Sequence, residues 1–323
     1  MARFTTALLV ASATQVLSLC SHNTFLHPRA ENGTVEVKNF GYRGNIGPLF
    51  WATLDAGRVN ERCASGSKQS PIDMVPEVFT LRPASDLEIV VPDFPEGTEF
   101  ENLGTTIEVI ARPGGTLKVD GKTFELQQAH FHLPSEHLDA GTSRAMEMHA
   151  VWQSAEQEIA VIGTYIDVVV DGAAPPATTA PAAARFRRRQ AAAPAAAGAS
   201  TFLETVLSKA DAIATPGSVT QTPPLVLSEI VNLWKAGSFQ AYSGSLTTPP
   251  CSEGVNWFVS TQTLRISAAT FEKARSVIGF NSRLTQNAPG QLNVQMAALA
   301  TIMSDLSQAA VAAPPVAAAP AAE

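Results

Sequence analysis

Short apolar runs separated by Gly, Pro and Asp dominate residues 35–170. Among them are LEIVV (87–91), TIEVIA (106–111) and TLKVD (116–120), which are rich in residues that favour strands. Similar material returns in GVNWFVS (254–260). Short strands with turn signals between them predict a largely antiparallel β domain.

Three later segments place apolar residues at the spacing of an amphipathic helix. They are TFLETVLSKADAIA (201–214), FEKARSVIGF (271–280) and LNVQMAALATIMSDL (292–306). We therefore expect a few short helices on the surface of the β domain. In the first segment, the apolar positions of the helix are Phe202, Val206, Leu207 and Ile213.

Two segments are dominated by Ala and Pro. Residues 171–200 surround a basic RFRRR (185–189), and because their prolines oppose helix formation we predict a disordered surface insertion. Exposed basic loops are frequent cleavage sites, which leaves two alternatives: cleavage after Arg189 into two chains, or an uncut linker. Residues 291–323 are predicted to be an Ala/Pro-rich C-terminal tail, and the last predicted helix, 292–306, overlaps its first half.

The N-terminus, MARFTTALLVASATQVLSLCSHN, has one basic residue, a short apolar run and then small or polar residues. This is typical of a secretory signal peptide, which we assign to residues 1–20; a frayed N-terminal helix is the alternative. Residues 21–34 then lead into a domain at 35–290. Asn32 begins a glycosylation sequence, Asn-Gly-Thr, which also indicates a secreted, extracellular protein.

The three cysteines, Cys20, Cys63 and Cys251, agree with export. If Cys20 leaves with the signal peptide, an even number remains in an oxidising compartment. The remaining two form either a Cys63–Cys251 disulfide or two unpaired buried thiols.

The net charge of −7 gives no indication of the basic face that nucleic-acid binding needs, so no nucleic-acid partner is expected. No stretch after the signal peptide is long and apolar enough to span a bilayer. The sequence does not indicate an oligomeric state.

Three of the six histidines lie within QAHFHLPSEH (128–137). In a strand, side chains two residues apart share a face, so Gln128, His130 and His132 lie together. Seventeen residues after His132, the segment EMHAVW (147–152) places His149 two residues after Glu147. If the two strands are antiparallel neighbours, three imidazoles meet on one face of a sheet. Three histidine ligands leave one position of a tetrahedral zinc site open, as in catalytic sites.

Polar neighbours strengthen this interpretation. Metal-binding histidines usually donate their second ring N–H to a carboxylate or an amide, and Gln128 and Glu147 each stand two residues before a histidine. The alternative is a set of structural histidines whose hydrogen bonds are satisfied within the fold.

QAHFHLPSEH followed by MEMHAVW resembles the metal-site strands of the α-class carbonic anhydrases. FGYRGNIGPLFW (40–51), KQSPID (68–73), YSGSLTTPPCSEGVNWFV (242–259) and NSRLTQ (281–286) resemble further motifs of that family in the same order. The resemblance covers about 250 residues and implies an α+β, mainly β fold: a single domain on a large twisted, mostly antiparallel central sheet.

The resemblance implies zinc-dependent, reversible hydration of carbon dioxide to bicarbonate and a proton, by attack of a zinc-bound hydroxide. His130, His132 and His149 would hold Zn²⁺. Thr247 would accept a hydrogen bond from the hydroxide, and Glu136 would accept the Thr247 proton. The alternative function is a secreted carbonic-anhydrase-like binding module with little or no activity.

Other residues gain roles by the same resemblance. His137 would make structural hydrogen bonds near Glu147 and Tyr242, Tyr42 would support the ligands, and Cys63 and Cys251 match the family's disulfide. A histidine that relays protons in fast relatives is replaced by Thr105, with Leu103 nearby, which predicts turnover limited by proton transfer. The pocket for apolar carbon dioxide would consist of Val151, Val161, Leu246, Thr248, Val255 and Trp257.

Overall fold

The computed structural model describes residues 34–55, 57–112, 114–169 and 198–312. The strands are β1 Thr80–Pro83, β2 Glu88–Val90, β3 Glu99–Asn102, β4 Ile107–Ile110, β5 Thr116–Val119, β6 Lys122–His132, β7 Met146–Ser154, β8 Ile159–Val169, β9 Val219–Gln221, β10 Ser238–Ser245, β11 Glu253–Ser260 and β12 Leu264–Ser267. They form one twelve-stranded sheet whose main path runs β1-β10-β11-β8-β7-β6-β4-β3-β9, with β12 beside β8, and with β5 beside both β2 and β6.

The sheet is mostly antiparallel, as predicted. The exceptions are β11 and β12, which both pair with β8 in parallel. Strands β2, β4 and β5 lie within the three short runs predicted as strands, and β11 covers the fourth. The predicted fold class, a single mainly β domain with short helices, is therefore confirmed.

The helices are α1 Arg62–Ser65, α2 Thr201–Leu207, α3 Ser228–Lys235, α4 Ala268–Ile278 and α5 Val294–Ala312. Short 3₁₀ helices lie at Gly44–Ile46, Trp51–Thr53, Ala84–Asp86 and Ala210–Ile213. No helix in the described ranges is long and apolar enough to cross a bilayer.

All three predicted helices have different bounds in the structure; α4 begins three residues before the predicted 271 and ends two residues before the predicted 280. The segment 201–214 is not one helix: α2 ends at Leu207, and a 3₁₀ turn then buries Ile213. Helix α5 extends six residues past the predicted 306, because alanine is the strongest helix former and the next prolines follow Ala312. The range 291–323, expected to be an Ala/Pro-rich tail, therefore opens with a 19-residue helix.

The main core lies between one face of the sheet and helices α2, α3 and α4. Phe131 and Met148 contribute from β6 and β7, and Trp234 of α3 donates from Nε1 to the hydroxyl of Thr164 at 2.9 Å. Large buried side chains on this face leave the opposite face of β6 and β7 free to carry polar groups. A second cluster, built around Val151, Val161 and Trp257, covers part of that opposite face.

A β-bulge in β6 sets which residues share that opposite face. The pairing with β7 shifts between Leu126 and Gln128, so Gln127 has no partner in the register. Phe124 and Leu126 therefore lie in the same core cluster as Ala129 and Phe131, although their spacing alone would place them on opposite faces. Residues 128, 130 and 132 face away from this core.

Candidate metal centre

Strands β6 and β7 bring three imidazoles together. His130 lies directly opposite His149 in the antiparallel register, and His132 follows two residues later on the same face. Their ring centroids are 4.6–5.2 Å apart. One nitrogen from each ring lies within 4.8 Å of the others, and all three side chains are buried. The predicted juxtaposition of these histidines is therefore present in the structure.

A fixed neighbour contacts the other ring nitrogen of each histidine. Nδ1 of His130 lies 2.7 Å from Oε1 of Gln128, and Nε2 of His149 lies 3.0 Å from Oε1 of Glu147, as the two-residue spacing predicted. Nδ1 of His132 lies 2.9 Å from the backbone carbonyl of Asn281, a partner that the sequence did not indicate. A neutral imidazole that donates from one nitrogen presents a lone pair on the other.

This donor set fits a metal cation. The remaining nitrogens are Nε2 of His130, Nε2 of His132 and Nδ1 of His149, which are neutral ligands of the type that zinc and related ions prefer. The contacts of Gln128 and Glu147 fix each ring's orientation before any ion arrives. These three histidines are the residues that could hold the metal.

Glu147 connects His149 to the loop that follows β6. Its Oε2 accepts hydrogen bonds from the backbone N–H groups of Glu136, at 2.9 Å, and His137, at 2.8 Å. Its Oε1 also accepts from Nδ1 of His137 at 2.7 Å. Burial alone would raise the pKa of Glu147, but the charges and hydrogen bonds of His137 and His149 hold it well below its ordinary value. Glu147 is therefore a buried carboxylate with four N–H partners.

Both ring nitrogens of His137 are engaged. Nδ1 meets Glu147, and Nε2 lies 2.7 Å from the hydroxyl of Tyr242, which is 2.8 Å from the hydroxyl of Ser70. Burial raises the pKa of Tyr242 well above its ordinary value, which keeps the phenol protonated. His137 therefore has the hydrogen-bond geometry expected of a structural residue.

Glu136 and Thr247 meet beside the three imidazoles. Oε1 of Glu136 accepts from the backbone N–H of Arg283 at 2.9 Å, and Oε2 lies 3.5 Å from Nε2 of His132. Burial raises the pKa of Glu136 to about 7, against the lowering effects of His149 and of a hydrogen bond from Thr247. A carboxylate oxygen can only accept, so the Thr247 hydroxyl is the donor in that contact.

Arg283 is a buried neighbour of Glu136 whose position the sequence did not indicate. Its guanidinium donates to the backbone carbonyls of Ser70, at 2.7 Å, and Cys63, at 3.0 Å, and lies 5.7 Å from the centre of the Trp51 ring. Burial lowers its pKa to about 10. Tyr42 lies near this group, and burial followed by the charge of Glu136 raises the tyrosine pKa. The NSRLTQ motif contained Arg283, but only the fold places it behind Glu136.

The predicted apolar wall forms one cluster. Its members are Val151, Val161, Leu246, Val255 and Trp257. The Trp257 ring lies 4.8 Å from that of His149, and its Nε1 donates to the carbonyl of Ser245 at 3.0 Å. Thr248 is buried beside Thr247 but lies outside this apolar cluster.

The Cys63–Cys251 disulfide is confirmed, which excludes two unpaired thiols. Cys251 follows the turn that carries Thr247, and its backbone N–H donates to the carbonyl of Thr248 at 2.8 Å. Gln69 donates from Nε2 to the carbonyl of Cys251 at 3.0 Å. The bond therefore braces the segment that positions the Thr247 hydroxyl.

We expect loss of this bond to destabilise the protein by about 2–5 kcal/mol, because it closes a long loop in the unfolded chain. The measurement is urea unfolding of the variant Cys63→Ser/Cys251→Ser. Reduced wild-type protein is the control, since it loses the bond with both cysteines in place. Equal unfolding free energies for the oxidised wild type and the variant would contradict this expectation.

Thr105 is buried, and its carbonyl accepts from Nδ2 of Asn281 at 3.1 Å. A Cβ added to the neighbouring Gly104 would meet the side chain of Val37 at 2.7 Å. Leu103 is also buried. The position that lacks the relay histidine is therefore covered by protein.

The remaining histidines, His22 and His27, lie outside the described residues, as do Cys20, Asn32, Arg189 and the segments predicted as signal peptide and disordered insertion.

A second acidic group was missed on the histidine face. Glu108 of β4 lies opposite His130 in the register and is fully buried, and Glu101 of β3 lies opposite Glu108. The segment TIEVIA, which predicts a strand, carries Glu108. Its alternation offered the signal, because Ile107 and Val109 face the core and place Glu108 on the other face.

Comparisons with known proteins agree with this geometry. The sequence model of the eukaryotic-type carbonic anhydrase family matches residues 47–294. Carbonic anhydrases of Pectobacterium carotovorum and Nostoc sp. are each 30% identical, over 256 and 261 residues; they cover 79% and 80% of this chain, and 89% and 86% of their own lengths. The solved fungal α-carbonic anhydrase from Aspergillus oryzae has a TM-score of 0.69 at 32% identity, and covers 81% of this chain and 99% of its own.

Proposed function

The chain belongs to the eukaryotic-type carbonic anhydrase family of lyases, and we propose that it hydrates carbon dioxide reversibly to bicarbonate and a proton, using zinc held by His130, His132 and His149. One observation carries this proposal: three buried ring nitrogens converge within 4.8 Å, while their opposite nitrogens meet fixed partners. Such a site is ordered for a cation before the cation binds.

When bound, zinc supplies Lewis acidity and lowers the pKa of water to about 7, the established value for the carbonic anhydrase class. Glu136 then fixes the Thr247 hydroxyl by accepting a hydrogen bond from it. The lone pairs of the Thr247 oxygen are left to accept a hydrogen bond from the attacking oxygen, which directs that oxygen at the carbon atom of the substrate. An attacking group held in one orientation reacts faster than a rotating one.

The apolar cluster suits carbon dioxide, which has no charge and no dipole. Val151 and Trp257 lie in the cluster that adjoins His149, so the substrate can rest against hydrocarbon without displacing a hydrogen bond. The charged product gains nothing from that surface, which favours its release. The pocket therefore distinguishes carbon dioxide from the charged product by polarity rather than by specific hydrogen bonds.

The alternative, a binding module without activity, explains less of the site. Binding alone needs neither a Thr247 hydroxyl fixed by a buried carboxylate nor three imidazoles with oriented tautomers. The deciding experiment is stopped-flow hydration of carbon dioxide by the purified protein, before and after chelation and after zinc is restored. Activity that tracks zinc content supports the proposal, and a zinc-loaded protein without activity favours the binding module.

We expect imidazole-type buffers to raise kcat several-fold at fixed pH and to leave kcat/KM unchanged. No histidine occupies position 105, and the four histidines of the described residues all lie within the site, so proton release depends on small molecules from solution. The measurement is a titration of kcat with buffer at constant ionic strength. A kcat that is independent of buffer concentration would contradict this expectation.

We also propose that the protein is secreted. The disulfide is the kind of bond that persists in oxidising compartments, and the N-terminal sequence has the features of a signal peptide. N-terminal sequencing of protein recovered from the medium tests both points. Protein retained inside the cell with residues 1–20 attached would overturn this proposal.

A further inference from the structure

Helix α5 presents large apolar side chains to solvent. Those of Met296, Leu299, Ile302, Met303 and Leu306 are 40–61% exposed. The helix is anchored at its first turn, where Gln295 donates from Nε2 to the carbonyl of Pro48 at 3.0 Å. From Ala298 to Gln308 every residue is exposed, so this stretch extends away from the domain. Contiguous exposed apolar surface of this kind marks interaction sites.

The spacing of these side chains is that of a helix-pairing seam. Met296, Leu299, Met303 and Leu306 are separated by three, four and three residues, which is the a/d pattern of a two-stranded coiled coil. Ile302 flanks this seam. Apart from Val294 in the first turn, the opposite side carries small or polar residues, and the hydroxyl of Thr301 there donates to the carbonyl of Ala297 at 3.1 Å. The helix therefore has one narrow apolar stripe.

Charge argues against a bilayer as the occupant of the seam. Helices that lie on membranes carry Lys or Arg along their polar face, whereas residues 294–312 contain none and have Asp305 as their single charge. The seam itself has no charged residue, so two copies of it meet without repulsion. A second copy also offers a complementary Leu and Met pattern.

The chain's own continuation does not match the seam. Residues 313–323, APPVAAAPAAE, contain one side chain larger than proline among their apolar residues, Val316, and three prolines that oppose a helix. Such a segment cannot fill four Leu and Met positions. A partner helix with the same a/d pattern can fill them all.

We propose that α5 is a homodimerisation element that pairs with α5 of a second copy of this chain. The stripe exposes apolar surface on the order of 500 Å² per copy, so pairing buries about 1,000 Å², near the lower limit for a specific interface. The dimer is therefore reversible and depends on concentration. Because α5 lies outside the metal centre, dimerisation leaves the activity of each copy unchanged.

The test is sedimentation equilibrium of the purified protein from about 1 to about 100 µM. The wild type is expected to change from monomer to dimer in this range. The variant Leu299→Glu/Met303→Glu is expected to remain monomeric, because it places charge in the seam. Its matched control, Thr301→Glu/Gln308→Glu, adds the same charge on the opposite side and is expected to dimerise like the wild type. Equal carbon dioxide hydration by all three proteins shows that each is folded.

Four results would overturn the proposal. The first is a wild type that stays monomeric throughout the range, and the second is a seam variant that dimerises as the wild type does. The other two concern other occupants of the seam. They are seam-dependent binding of a monomer to vesicles of phosphatidylcholine and phosphatidylserine, and dimerisation that occurs only when the chain ends at Ala312. Vesicle binding would assign the seam to a bilayer, and the truncation result would assign it to the chain's own tail.

Discussion

Replacing His149 by alanine is expected to lower kcat/KM for carbon dioxide hydration by about 1,000-fold or more, because the third imidazole is lost and zinc is released or held without its acidifying environment. The substitution also removes an N–H partner of Glu147, which lies 3.0 Å from Nε2 of His149. The measurement combines stopped-flow assays with zinc content determined by mass spectrometry. Chelated wild type should reproduce the loss, and added zinc should restore only the wild type.

The variant Gln128→Ala is expected to lose activity, but less than His149→Ala does. Gln128 contacts His130 without being a ligand, and loss of such an orienting partner costs about 10–100-fold in metal affinity or activity. We therefore expect Gln128→Ala to lie between wild type and His149→Ala. A His149→Ala protein that is folded, zinc-loaded and fully active would refute the assignment of this histidine as a ligand.

Thr247→Val is expected to reduce kcat/KM by about 100-fold, with zinc content unchanged. Valine has nearly the shape of threonine, so the change removes the hydroxyl that links Glu136 to the attacking oxygen and little else. Glu136 then loses a hydrogen bond that stabilises its charged form, which raises its pKa further. The measurement is the pH profile of kcat/KM for the variant and the wild type.

Thr247→Ser separates this effect from a change in packing. Serine keeps the hydroxyl and loses only the methyl group, so most of the activity should return. If Thr247→Val stays within about twofold of the wild type, or if serine is no better than valine, then the hydroxyl does not orient the attacking oxygen.

Much of the site could be predicted because its three histidines lie on two neighbouring strands. The two-residue period placed His130 and His132 on one face, and the turn signals after them placed His149 on the adjacent strand. Gln128 and Glu147 followed from the same period. These positions depend only on the geometry of neighbouring strands, so they can be predicted without knowledge of the rest of the fold.

The unpredicted parts depend on contacts between distant segments. The partner of His132 is the backbone carbonyl of Asn281, 149 residues away, and a carbonyl group leaves no mark in a sequence. Arg283 carries a charge that usually indicates a surface position, yet the fold buries it against two backbone carbonyls. The bulge at Gln127 likewise became visible only from the register of β6 and β7.

Helix α5 was predicted from the sequence, but the exposure of its apolar side was not. Its sequence predicted a helix correctly, because alanine, leucine and methionine favour that conformation. Periodicity reports only that one side is apolar, and it does not say whether the domain itself covers that side. The structure shows that the domain covers little beyond the first turn.

The position of β8 in the sheet has a consequence for the order of folding. Strand β8 pairs with β7, its neighbour in sequence, but its other edge pairs with β11 and β12, which follow about 90 residues later. Sheets that depend on such distant pairings fold slowly, because the intervening chain must close first. During synthesis the histidine strands can form early, while this edge of β8 stays open until the segment carrying Thr247 has emerged. A chain of this design depends on protection from edge-to-edge aggregation during that interval.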